Sequence, residues 1–183
     1  MNTPHPFRFG VTLFGATSRQ EWIARVHRVE DLGYSVLQVP DHLGNQFAPI
    51  LALMAAAEAS TTLRLGTLVL DINYRHLALL AKEAATLDLL SEGRFELGLD
   101  TGWIARESQM TGIPFDPAGQ RVGRLEEAVH LLTRLLFLNV PHPVRESAYE
   151  RTYTSEMRRE TRLQLLVPIR DVQMITRREP LKR

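Results

Sequence analysis

The stretch Leu63–Leu99, LRLGTLVLDINYRHLALLAKEAATLDLLSEGRFELGL, decides the fold. Leu63–Leu70 is a short apolar run of the kind that forms a buried strand. Arg75–Leu90 then carries Leu77, Leu80, Ala84, Leu87 and Leu90 at helical spacing. Ser91-Glu92-Gly93 turns the chain, and Arg94–Leu99 (RFELGL) reads as a second strand. Strand, helix and strand in this rhythm predict a right-handed β/α crossover and a parallel sheet.

Upstream, the same rhythm runs twice more. Phe7–Phe14 (FRFGVTLF) alternates and predicts a strand. Ser18-Arg19-Gln20-Glu21 is a capping-box pattern in which Ser18 and Glu21 satisfy each other's end-of-helix amides. Trp22, Ile23, Val26, Val29 and Leu32 follow at helical spacing, and Gly33 stands at the helix stop. Ser35–Val39 is a second strand, ending in Pro40-Asp41-His42, and the Ala-rich Pro49–Ser60 is a helix.

Downstream, Asp100–Gln120 reads as a loop of roughly 20 residues, long enough to suggest function or ordering by a ligand. Val122–Leu136 predicts a helix with Val122, Leu125, Val129, Leu132 and Leu136 on one face. Beyond it the rhythm stops. Val140-Pro141-His142-Pro143 is a break, Glu146–Arg162 a charged helical candidate, Leu163–Ile169 a strand-like run, and Thr176–Arg183 a basic tail. All 11 glycines lie between Gly10 and Gly123, whereas about four would be expected in the remainder at average usage.

The expected fold class is therefore α/β: a doubly wound sheet or, with four β/α units, part of a TIM-type barrel. The expected organisation is 1–138 as a half-barrel and 139–183 as a divergent, irregular basic tail, disordered or frameshifted. A full barrel takes about 250 residues, so 183 residues accommodate about half of one. Such a half would expose edges at its first and fourth strands.

Composition narrows the function. Charge is balanced, at a formal +1, which gives no reason to expect nucleic acid or a membrane surface as a partner. The chain has no cysteine, which rules out thiolate catalysis and cysteine-ligated metals. The N-terminal sequence lacks a signal pattern and no apolar run approaches spanning length, so a cytoplasmic protein is expected.

In parallel β/α folds, ligands gather at the C-terminal ends of the strands. Four places qualify: Phe14-Gly15, Asp41-His42, Leu70–His76 and Asp100–Glu107. His42 is suited to proton exchange near neutral pH, with the Asp41 carboxylate setting its orientation. The plainer alternative is a turn cap at Asp41 and a rim filler at His42. Leu68–Asn73 offers an apolar bed for a flat ring or, more simply, barrel core. Asp100-Thr101-Gly102-Trp103 allows close backbone approach and a pocket wall, or an anchor for the long loop. A metal at Asp41, His42 and His76 has no spacing signature, so none is expected. Phosphate loops, dinucleotide fingerprints and nucleophile elbows are absent from the sequence.

Taken together, GYSVLQVPDHLG (Gly33–Gly44), LRLGTLVLDINYRH (Leu63–His76), LLAKEAATLDLLSEGRFELGLDTGW (Leu79–Trp103) and TGIPFDP (Thr111–Pro117) resemble the luciferase-like monooxygenase superfamily. They are most similar to its deazaflavin-dependent oxidoreductase branch, over roughly residues 7–136. The resemblance implies a TIM-type barrel, coenzyme F-420 or alternatively FMN as cofactor, a small-molecule substrate, and a homodimer. By position it implies catalytic roles for Asp41 and His42. Leu68, Val69 and Leu70, with Asp71 beside them, match a bulge formed by a non-prolyl cis peptide behind the ring. Asp100, Thr101 and Gly102 match a cofactor-facing turn.

The chain departs from the family pattern at several points. Asp100 stands where glycine is common, His76-Leu77 where His-Pro is usual, and Trp103 where deazaflavin dehydrogenases place a glutamate. Glu107 lies farther along the same segment. The later strands, whose loops hold the cofactor's phosphates in the family, are missing from the pattern. Each lost charge-assisted contact is worth about 1.5–3 kcal/mol, so weak cofactor binding is expected. The rival expectation is a truncated, catalytically incompetent remnant or a dimeric binding protein.

Overall fold

Local signals set the first helix. The Ser18 hydroxyl accepts from the Glu21 amide at 3.1 Å and starts α1 (Arg19–Asp31). The reciprocal bond is displaced by one residue: the Glu21 carboxylate accepts from the Thr17 amide, at 2.7 Å, and from the Thr17 hydroxyl. At the other end Gly33 takes φ +77°, and Tyr34 donates back to the Val29 carbonyl, closing the helix as expected.

The computed structural model describes residues 8–137 and 164–166. Besides α1, its elements are β1 Gly10–Thr12, β2 Val36–Val39, α2 Pro49–Ala59, β3 Arg64–Thr67, β4 Leu70–Asp71, α3 Leu77–Leu90, β5 Phe95–Asp100, α4 Ala105–Thr111, α5 Ala118–Phe137 and β6 Gln164–Leu166. Every strand pairing is parallel: β1 with β2, β2 with β3, and β5 with β3, β4 and β6. The architecture is α/β, a partial TIM-type barrel.

One face of the sheet packs on the helices. Leu37, Val39, Leu65, Phe95, Leu97 and Leu99 join Trp22, Val26, Leu53, Leu80, Leu87 and Leu132 in a single core. Each fully buried Leu or Phe contributes about 1.5–3 kcal/mol relative to exposure. The opposite face carries small and polar residues. A Cβ on Gly66 would meet the Gln38 side chain at 3.3 Å.

The run read as one strand, Leu63–Leu70, is two. Gly66 pairs with Glu96 and Leu70 with Leu99, so four steps on one strand oppose three on the other. The extra residue is a bulge, and within it the Leu68–Val69 peptide is cis. Thr67 replaces the lost ladder bonds. Its hydroxyl donates to the Gly98 carbonyl and accepts from the Gly98 amide, both at 2.8 Å. A Cβ on Gly98 would lie 2.3 Å from the Thr67 carbonyl oxygen, which is why a glycine stands there.

Other expectations need correction. Asp100–Gln120 is not structureless: it contains α4 and the first turn of α5. Arg75 and His76 precede α3 and follow a 3-10 turn at Ile72–Tyr74. Val122 is 56% exposed, whereas Leu125, Val129, Leu132 and Leu136 are buried. The edge of β5 is paired by β6, which lies inside the strand-like run at 163–169. The break at 140–143, the helical candidate at 146–162 and the basic end lie outside the described residues. No helix among the described residues is long and apolar enough to cross a membrane.

Candidate functional site

A cleft opens where the C-terminal ends of β2, β4 and β5 converge. It encloses about 350 Å³ of space, open solvent at its mouth included, and Asp41, His42, Leu68, Val69, Asp71, Asp100 and Gly102 all line it. Tyr74, Trp103, Ile104 and Glu107 complete the lining. Seven of the nine anticipated site residues therefore meet in one place. Leu70 does not line it, because its side chain is fully buried in the helix-facing core opposite Leu99. Thr101 does not either: its carbonyl accepts from the Asn73 side chain at 3.0 Å and from the Arg121 guanidinium.

The bulge shapes the floor. Leu68 is 43% exposed although it leaves a buried strand, and Val69 lines the cleft beside it. Trp103, 72% exposed, stands edge-on to His42 with ring centroids 6.1 Å apart.

Asp41 is buried and fully engaged. It accepts two bonds from Arg75, at 2.6 and 3.0 Å, and one from the Asp71 amide at 3.0 Å. A bidentate arginine pair of this kind is among the stronger ionic contacts. Its hydrogen bonds go to these groups and not to the neighbouring imidazole, contrary to the expectation that Asp41 orients His42. The carboxylate beside His42 is instead Glu107, 3.3 Å from Nδ1.

Two further carboxyls face each other across the β4–β5 register. Burial pushes the Asp71 carboxyl above the ordinary carboxylate range and neighbouring Asp41 adds to this, while the Asn73 donors and Arg75 pull it down. Burial likewise raises Asp100, reinforced by Asp71 and Asp41 and opposed by the Gly102 amide and His42. Gly102 links them. Its amide donates to Asp100 at 2.9 Å, its φ is +71°, and a Cβ there would lie 2.1 Å from Asp71 Oδ2. Only glycine satisfies both the backbone and the space.

A metal at Asp41, His42 and His76 finds no support. His76 turns away to accept from the Ala78 amide and cap α3. Among the described residues no group of three His, Asp or Glu is placed to hold a metal ion.

Sequence reasoning missed Tyr74 and Arg75 as site residues, though both lie in the Leu70–His76 window. It undervalued Glu107, because α4 was hidden inside an apparent loop.

Sheet topology, bulge and cleft define a class: residues 4–170 match the profile of the luciferase-like monooxygenases, and the chain belongs to this family. Among particular relatives, it is 34% identical over 131 residues to 4-hydroxyprotoasukamycin monooxygenase of Streptomyces nodosus subsp. asukaensis, covering 69% of this chain and 33% of that protein. It is 35% identical over 116 residues to the F-420-dependent glucose-6-phosphate dehydrogenase of Kribbella flavida, covering 59% and 35%. The chain spans about a third of the length of these curated relatives. Among solved structures, the coenzyme F-420 dependent tetrahydromethanopterin reductase from Methanopyrus kandleri superposes with a TM-score of 0.68 at 20% identity, over 87% of this chain and 49% of that one. The oxygenating constituent of 3,6-diketocamphane monooxygenase from Pseudomonas putida, in complex with FMN, gives 0.64 at 20% identity, over 78% and 42%. At these identities the structural likenesses speak to the fold.

Proposed function

We propose that the chain carries the cofactor and proton-transfer site of a flavin- or deazaflavin-dependent oxidoreductase acting on a small organic substrate, with coenzyme F-420 as first candidate and FMN as alternative. The observation that carries this reading is the cleft floor at Leu68–Val69, an apolar surface raised by the bulge next to a half-buried imidazole.

The residues fit a flat, polar-edged ring. Leu68 and Val69 would lie against its face. Gly102 admits close backbone approach, and Asp71 and Asp100 stand at the rim as donors when protonated and acceptors when ionised. A bound deazaflavin supplies hydride exchange, and a bound flavin can also supply oxygen activation. His42 would exchange a proton with the substrate, and Asp41 holds the strand end through Arg75 and the Asp71 amide. Trp103 would wall the substrate side. The relatives' printed activities point to both cofactors. A homodimer rests on the family resemblance.

The test is a fluorescence titration of the purified chain with coenzyme F-420 and with FMN at known oligomeric state. Saturable binding of either at micromolar concentration is expected. A folded chain that binds neither keeps the architecture without this function.

A further inference from the structure

Three polar side chains from three separate elements meet on one side of the cleft. His42 follows β2, Tyr74 ends the 3-10 turn before α3, and Glu107 sits in the first turn of α4. His42 Nδ1 lies 3.3 Å from Glu107 Oε1 and 3.5 Å from Oε2. The Tyr74 hydroxyl donates to Glu107 Oε2 at 2.9 Å. Burial, the bond to Glu107 and the surrounding carboxylates push the Tyr74 phenol well above its ordinary range, so it stays a donor. Glu107 is thus held from one side by a hydroxyl and faces an imidazole on the other.

We propose that Glu107 is a positioning residue that fixes His42 as the Nδ1–H tautomer and leaves Nε2 free to exchange a proton with the substrate. A carboxylate accepts but does not donate, so the ring nitrogen facing it must carry the proton. Which nitrogen of a histidine is protonated is set by what the other one faces. Asp41, although adjacent in sequence, does not compete, because Arg75 and the Asp71 amide hold its oxygens. Trp103 stands edge-on to the imidazole and narrows the space for ring rotation. The catalytic meaning of the arrangement rests on the proposed function, whereas the tautomer is a property of the chain alone.

Nitrogen-15 NMR of the imidazole side chains tests it, at a pH that keeps His42 neutral and with His42→Gln to assign the signal. The native chain should show the proton on Nδ1. Glu107→Leu should move it to Nε2, the form favoured by a histidine side chain free in water. Glu107→Gln should restore Nδ1–H through its amide oxygen, and Tyr74→Phe should give a mixture. A native His42 with its proton on Nε2, or a Glu107→Leu signal identical to native, overturns the proposal. Titration of the same samples with coenzyme F-420 and FMN separates the two readings. An Nδ1–H imidazole in a chain that binds neither cofactor upholds the positioning and sinks the function. Cofactor binding with an Nε2–H imidazole does the reverse.

Discussion

The two ends of β5 carry the same kind of residue in opposite circumstances. Near its start Glu96 is 2% exposed and is met by two arginines, Arg8 at 2.6 Å and Arg64. At its end Asp100 is half-buried among other carboxyls, and among the described residues its carboxylate accepts from the Gly102 amide. The N-terminal end of the sheet neutralises its charge with cations and is built for stability. The C-terminal end gathers Asp71, Asp100 and Glu107 around an open cleft and tolerates the cost. In β/α barrels this division between a stabilising face and a functional face is the general rule.

The comparison can be broken most severely at Gly98, which sits between the two ends. Gly98→Ala would drive a Cβ into the Thr67 carbonyl. A loss of about 3 kcal/mol is expected, the upper end for overpacking because the obstacle is backbone. Denaturant unfolding measures it, and a variant as stable as the native chain would show that the bulge can shift freely. Next comes Arg64→Met, which leaves the buried Glu96 with Arg8 alone. The expected cost is about 2–3 kcal/mol, below the full penalty of an orphaned buried charge because one cation remains.

Glu30 is a smaller effect on the stable side. Burial pushes its carboxyl up, but bonds from the Thr62 hydroxyl and amide and the Thr61 amide outweigh this and bring it to about 2. Since the folded value is depressed, its stabilisation is present above the unfolded value of 4.5 and is lost as pH falls towards about 2. Glu30→Gln should cost about 1–2 kcal/mol at neutral pH, allowing for solvent screening, and less in acid. An unchanged acid limb in a pH series of melting temperatures would contradict this.

The smallest effect has the opposite sign. Asp100 is raised in the fold, so its favourable contribution exists at low pH and is lost as pH rises through the folded value. Asp100→Asn keeps an acceptor for the Gly102 amide and removes the charge. It should raise the neutral-pH melting temperature by about 2–4 °C for each kcal/mol regained. A lower melting temperature would place Asp100 among the stabilising groups and erase the contrast with Glu96.

The stable half of this contrast was largely legible in the sequence. Trp22, Val26 and Val29 at helical spacing, and the alternation of Phe95, Leu97 and Leu99, report burial directly, because hydrophobic period follows backbone geometry. Glu96 lies in the same run and gave no sign of its partners, since Arg8 and Arg64 approach only once the strands pair. The functional half was legible by position. Strand ends named Asp41, His42, Asp71 and Asp100, but not their contacts. The Leu68–Val69 bulge is invisible to periodicity, which reads LRLGTLVL as one strand. Glu107 could not be linked to His42 because the helical turn that carries it, α4, is short and lies in a segment with loop-like composition. Contacts across 65 residues of chain are set by tertiary packing, which local patterns do not encode.

The most direct test of the ligand-binding end is a pair of fluorescence titrations with coenzyme F-420 and FMN, on the native chain and on Leu68→Asp. Leu68 is partly exposed on the cleft floor, so the variant should fold with a melting temperature close to native. Saturable micromolar binding by the native chain and its loss in the folded variant is the predicted result. Equal binding by both would contradict the assignment of the Leu68–Val69 floor as the ring's resting surface.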